Sequence, residues 1–159
     1  MLRVTIDDQG TIKKTIAATR ALKTQFRDRS APLKRMRTYH KTRWIANINS
    51  EGGTYGAFAP LAPETVRKRR GSAHPILRWD GKLLRWVGTA AQAGEVSRET
   101  LTWDFSWSGG RDGSYAVLHS EGYEHTPARV VFDTNGDDEE HDVELIEEWV
   151  DRLLAKYYS

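Results

Sequence analysis

The chain is 159 residues long, 38% apolar and 29% charged, with six Trp, six Tyr and four Phe. That length points to a single domain over 1–159 with enough chain to bury a core. The absence of cysteine excludes disulfides, thiolate metal sites and cysteine nucleophiles. No apolar run approaches the ~20 residues that cross a bilayer, and MLRVTIDDQG lacks the apolar centre of a signal peptide. A soluble protein, made in a cytoplasm and without a membrane partner, is therefore expected.

The net charge of +2 hides a split. Residues 1–90 carry 19 Lys/Arg against 6 Asp/Glu, and residues 91–159 carry 5 against 16. Either the halves neutralise each other inside one fold, or a basic face of one copy meets an acidic face of the next.

In chain order, LRVTI (2–6) alternates as a short strand does, and Asp7–Gly10 reads as a turn. From an N-cap at Thr11, the positions Ile12, Ile16, Thr19, Leu22 and Phe26 make one helical stripe. Pro32 interrupts it, and the pattern resumes through Leu33, Met36, Tyr39 or His40, and Trp44. Residues 49–63, NSEGGTYGAFAPLAP, read as a flexible loop. Pro63 suits the first turn of a short basic helix closed by Gly71, and 74–88 reads as a helix or two short elements divided at Asp80-Gly81. Val96 and the alternating Leu101, Trp103, Phe105 and Trp107 predict a hairpin turning at 97–100. A short helix at YAVLHSEGY and an extended TPARVVFD follow. Residues 133–142 read as a flexible acidic loop before a last helix with the stripe Val143, Ile146, Val150, Leu153 and Tyr157. The expected class is α+β: a long N-terminal helix and a C-terminal helix on a small, mainly antiparallel sheet, with long loops.

Little here resembles a catalytic or cofactor site. His119, Glu121, Glu124 and His125 offer metal-ligand chemistry, but HSEGYEH is not HExxH and Gly122 breaks the helix that would align the histidines. The run DDEEHDVELIEE lacks the ligand alternation of a calcium loop and suits a helix N-terminus. Phosphate loops and the GxSxG nucleophile elbow are absent. The reading is a non-enzyme with no metal and no cofactor. The basic segments 27–45 and 67–70, interleaved with Tyr39 and Trp44, raise DNA binding as an alternative function. A small hydrolase built on His119 ranks third.

Four short segments carry a resemblance. AFAPLAPETVRKRR is similar to the W-x-P-L-S-x-x-T-x-x-x-R element of the phage virion morphogenesis (tail completion) family. ILRWDGKLLRW is similar to its I-L-x-x-T-G-x-L, YAVLHSEG to its Y-A-x-x-H-Q-x-G, and PARVVF to its P-A-R-x-F-L. They occur in the family's order and cover about 58–132. Phe58, Ala62, Trp79-Asp80, Ser120-Glu121 and Val130-Val131 depart from the pattern.

The resemblance implies a structural virion protein in a ring of six copies at the head–tail junction or the head-proximal tail end, made in the host bacterial cytoplasm. Its partners would be further copies of itself, adjoining neck, connector or tail-tube proteins, and the double-stranded DNA that passes through the channel. Candidate interface residues are Arg67, Lys68, Arg69, Arg70 and Arg129. Arg129 is expected either in an Arg–carboxylate pair or as a solvated edge-strand charge. Asp137, Asp138, Glu139 and Glu140 are candidates for a channel lining or a ring-to-ring joint, against a solvated outer loop.

Overall fold

The computed structural model describes residues 9–78, 80–92, 94–103, 118–123 and 126–158. The strand expected at 2–6 and the alternating residues Phe105 and Trp107 lie outside them. The described elements are helices α1 (Gln9–Phe26), α2 (Ser30–Asn49), α3 (Pro63–Lys68) and α4 (Lys82–Gln92), strands β1 (Glu95–Val96) and β2 (Leu101–Thr102), and helix α5 (Gly136–Tyr158). Among the described residues the protein is helix-rich with a small antiparallel sheet, an α+β arrangement in broad terms. Its helices pack chiefly on one another: α2 lies against α4 and α5, and α1 lies against α5, while the two strands flank α2.

The break between α1 and α2 falls at 27–29, ahead of the expected Pro32. Asp28 accepts the Ser30 N–H at 3.1 Å and helps start α2. Pro32 is tolerated because first-turn N–H groups have no intrahelical partner. α2 then presents Met36, His40, Trp44, Asn47 and Ile48 inward. Trp44 and Ile48 meet Phe58, Ile76, Leu77, Leu83, Val87 and Val131 in the core. The Trp44 indole donates to the Asp133 carbonyl at 3.0 Å and packs edge-on to Trp103 and Phe132.

Asn47 is fully buried and fully used. Its amide nitrogen donates to the Val130 carbonyl at 2.7 Å, and its oxygen accepts the Thr54 and Tyr55 N–H groups. One side chain thus ties the 49–63 loop and the 127–131 segment to α2. Gly52 is required in that loop: its φ is 97°, and an added Cβ would collide with the backbone of Gly56 to Phe58.

The hairpin agrees with its sequence signal. Glu95 pairs with Thr102 and Val96 with Leu101, and the turn is held by the Ser97 N–H on the Thr100 carbonyl at 2.9 Å. The segment before α4 is irregular, with the helix starting at Lys82, whose N–H Asp80 accepts at 3.0 Å. α3 begins at Pro63, as expected.

The C-terminal region corrects two expectations. The acidic stretch is a loop only to Asn135, and the helix begins at Gly136. Asn135 accepts the Asp138 N–H at 3.1 Å while Asp138 accepts the Asn135 N–H at 3.1 Å, a reciprocal capping box. The buried face of α5 is Asp138, Leu145, Trp149 and Leu153, so of the expected stripe Leu153 is buried, Ile146, Val150 and Tyr157 are half-buried, and Val143 is exposed.

Candidate functional site

Described residues from all four sequence segments converge. A cleft of about 300 Å³ is lined by Leu61, Thr65, Arg69, Leu77, His119 and Arg129, among others. Residues 118–121 form a helical turn that Gly122 ends with a φ of 79°. A Cβ there would stand 2.9 Å from the Ala128 nitrogen, so glycine lets the returning chain approach. That return is sealed by reciprocal hydrogen bonds between Tyr123 and Thr126, at 3.0 and 2.7 Å, and by the Arg129 N–H on the His119 carbonyl at 2.6 Å.

Arg129 is buried. Its guanidinium donates from Nε to the Ala59 carbonyl at 2.9 Å and from Nη2 to the Pro60 carbonyl at 3.0 Å. It therefore joins the PARVVF segment to AFAPLAP through main-chain oxygens. Both the solvated edge-strand reading and an interface role for this side chain are corrected, because the subunit interior encloses it. Arg69 is likewise turned inward, donating to the Pro75 carbonyl at 2.9 Å.

His119 is buried beside these arginines. Desolvation, reinforced by the charges of Arg129 and Arg69, pushes its pKa down to about 4. The imidazole is thus neutral at pH 7. Between about pH 6.5 and 4 the unfolded chain takes up a proton that the folded chain refuses, so stability falls as pH drops through that window. The expected loss from pH 7 to 4.5 is about 2–3 kcal/mol. Urea unfolding at the two pH values should show this loss in the natural protein and a smaller one in His119→Gln. Equal losses would mean that His119 titrates normally in the fold.

The rest of the metal reading falls on Glu124 and His125, outside the described residues. Among the described residues no group of three His, Asp or Glu side chains is placed to hold a metal ion.

The charge split is met partly inside the subunit, between α2 and α5. Arg35 reaches Glu148 at 2.7 Å and Arg43 reaches Asp138 at 2.8 Å, and the His40 imidazole lies within hydrogen-bond distance of Asp142, at 2.9 Å, between the same helices. Asp138 is fully buried and also accepts the Tyr39 hydroxyl at 3.0 Å. Burial alone would raise its pKa, but hydrogen bonds from Asn135, Tyr39 and Arg43 outweigh it and hold the carboxyl below its usual range. Burial and the same carboxylate push the Tyr55 hydroxyl up.

Asp138 is therefore an internal anchor, and its assignment to a channel or joint is corrected. Asp137, Glu139 and Glu140 are exposed on the first turn of α5. In the 67–70 segment, Arg67 and Arg70 are exposed, and Lys68 pairs with Glu64 at 2.9 Å within α3.

Sequence reasoning missed Asn47 and the pairing of Asn135 with Asp138. The N-x-x-D spacing at 135–138 was a usable signal for the latter. No known protein family, curated protein sequence or solved structure matches the chain. No helix among the described residues is long and apolar enough to cross a membrane.

Proposed function

We propose that this is a structural virion protein of a tailed bacteriophage, closing into a ring at the head–tail junction or the head-proximal tail end around the DNA channel. Its role is assembly: it performs no reaction, needs no cofactor, and joins copies of itself to adjoining neck, connector or tail-tube proteins. One observation supports this reading above the rest. Segments that resemble the tail completion family separately are joined in space, through Arg129 on Ala59 and Pro60 and through His119 on the Arg129 N–H. Chance matches scattered along a chain have no reason to share one junction.

The DNA-binding alternative draws less support. Of the α2 cations, Arg35 and Arg43 are paired with carboxylates, and Arg37 donates to the Gly94 carbonyl at 3.0 Å. Antibodies to the purified protein should label the head–tail junction of intact virions in electron micrographs. Unlabelled particles, together with duplex DNA retained by the protein in a salt-dependent way, would replace this reading with the DNA-binding one.

A further inference from the structure

Among the described residues, α1 meets α5 through its C-terminal half. Phe26 packs edge-on to Trp149 at 5.5 Å, and the Thr19 hydroxyl lies 3.3 Å from that of Tyr158. The two helices therefore run antiparallel, and residues 9–17 extend past the level of Tyr158 by more than two turns.

The extension carries Ile12, 51% exposed, and Ile16, 46% exposed, one turn apart on one side. Lys13 and Arg20 flank Ile16 at i−3 and i+4, and α1 contains four Lys/Arg and no Asp/Glu.

The outer face of α5 is its complement. Val143 is 56% exposed and Leu154 is 40% exposed, on the side away from Leu145, Trp149 and Leu153. Glu140 and Glu147 flank Val143 at i−3 and i+4, and Asp151 precedes Leu154 by three. The two strips match in spacing: Ile16 stands three residues after Lys13 and four before Arg20, as Val143 stands three after Glu140 and four before Glu147. Lys13, Arg20, Glu140 and Glu147 enter no ion pair among the described residues.

We propose that the projecting half of α1 docks on the outer face of α5 in a second copy of this chain, Ile16 against Val143, with Lys13 and Arg20 facing Glu140 and Glu147. The contact joins two different surfaces, so repetition gives a ring or an open filament. Opposite charge speeds and orients the encounter, and the covered apolar residues hold it. The inference rests on the assembly reading only in taking copies of the chain to associate.

Sedimentation velocity over a concentration series tests it with two charge-reversed proteins. Lys13→Glu/Arg20→Glu and Glu140→Lys/Glu147→Lys should each lose the higher-mass species formed by the natural protein, with unchanged circular dichroism. An equimolar mixture should regain those species, because each variant then meets a complementary face. Ile12→Glu/Ile16→Glu should lose them too, without rescue by the α1 charge variant, and its mixture with the α5 variant, whose α1 is natural, should stop at a dimer.

Association of the first variant as strong as that of the natural protein would overturn the docking and leave assembly by another face standing. A natural protein that stays monomeric throughout would overturn it too, and would assign the α1 strip to another occupant. Junction labelling of virions is independent of both outcomes and tests the assembly reading by itself.

Discussion

Asp138→Ala is expected to cost about 3–5 kcal/mol of folding stability, the usual loss when one member of a buried ion pair is removed. Three losses coincide. Arg43, whose side chain is 30% exposed, keeps its charge but loses its carboxylate at 2.8 Å. The Tyr39 hydroxyl loses its acceptor at 3.0 Å. The Asn135 N–H, at the start of α5, loses the oxygen that caps it at 3.1 Å. The measurement is the urea midpoint at pH 7 with the slope checked for constancy. Asp137→Ala and Glu140→Ala, on exposed positions of the same turn, should stay within about 0.5 kcal/mol.

Similar costs at all three positions would mean that Asp138 does not anchor α2 to α5. The pH signature also differs from that of His119. Because the folded carboxyl is held below its usual range, its contribution is present above the unfolded value near 4 and is lost only as pH falls further.

Sequence patterns located elements whose signal is local. The hairpin at 95–102 followed from alternation around a polar turn, and α3 from Pro63 with its basic last turn. The inward side of α2 was legible because Met36, His40 and Trp44 fall four apart. The division at Asp80-Gly81 and the helix break at Gly122 follow from glycine, and both residues have positive φ, 69° and 79°.

The failures have a common cause. Both α1 and α5 carry apolar residues on two sides, and periodicity cannot say which side a helix buries. In α5 the aromatic Trp149 lies with Leu145 and Leu153 against α1 and α2, leaving Val143 outside. The ionic seam was beyond sequence reading, since Arg43 and Asp138 are 95 residues apart. Only the packing of α2 on α5 brings them together. For the same reason a charge imbalance along the chain did not reveal that part of it cancels within one subunit.

Arg129→Lys should be almost as damaging as Arg129→Met, each costing about 3 kcal/mol, the scale for losing hydrogen bonds from a charged donor to two carbonyls. The guanidinium spans the Ala59 and Pro60 oxygens with two different nitrogens, at 2.9 and 3.0 Å, in the fixed planar spread that the side chain provides. A lysine ammonium has a single nitrogen and a more strongly held hydration shell, so it cannot reproduce that fork. Removing the fork leaves carbonyls of the 49–63 loop without those donors and frees the segment that sets Val131 into the core.

Arg67→Met, on the exposed side of α3, should change stability by less than about 0.5 kcal/mol. Urea unfolding at pH 7 reads all three. A lysine variant as stable as the natural protein would show that positive charge alone suffices at this junction. Proteolysis of the folded variants adds a spatial readout: cleavage within 53–62 should accelerate in both Arg129 variants and not in Arg67→Met. The loop is held from one side by Asn47, on the Thr54 and Tyr55 N–H groups, and from the other by Arg129. Loss of either anchor should therefore open the same stretch of chain.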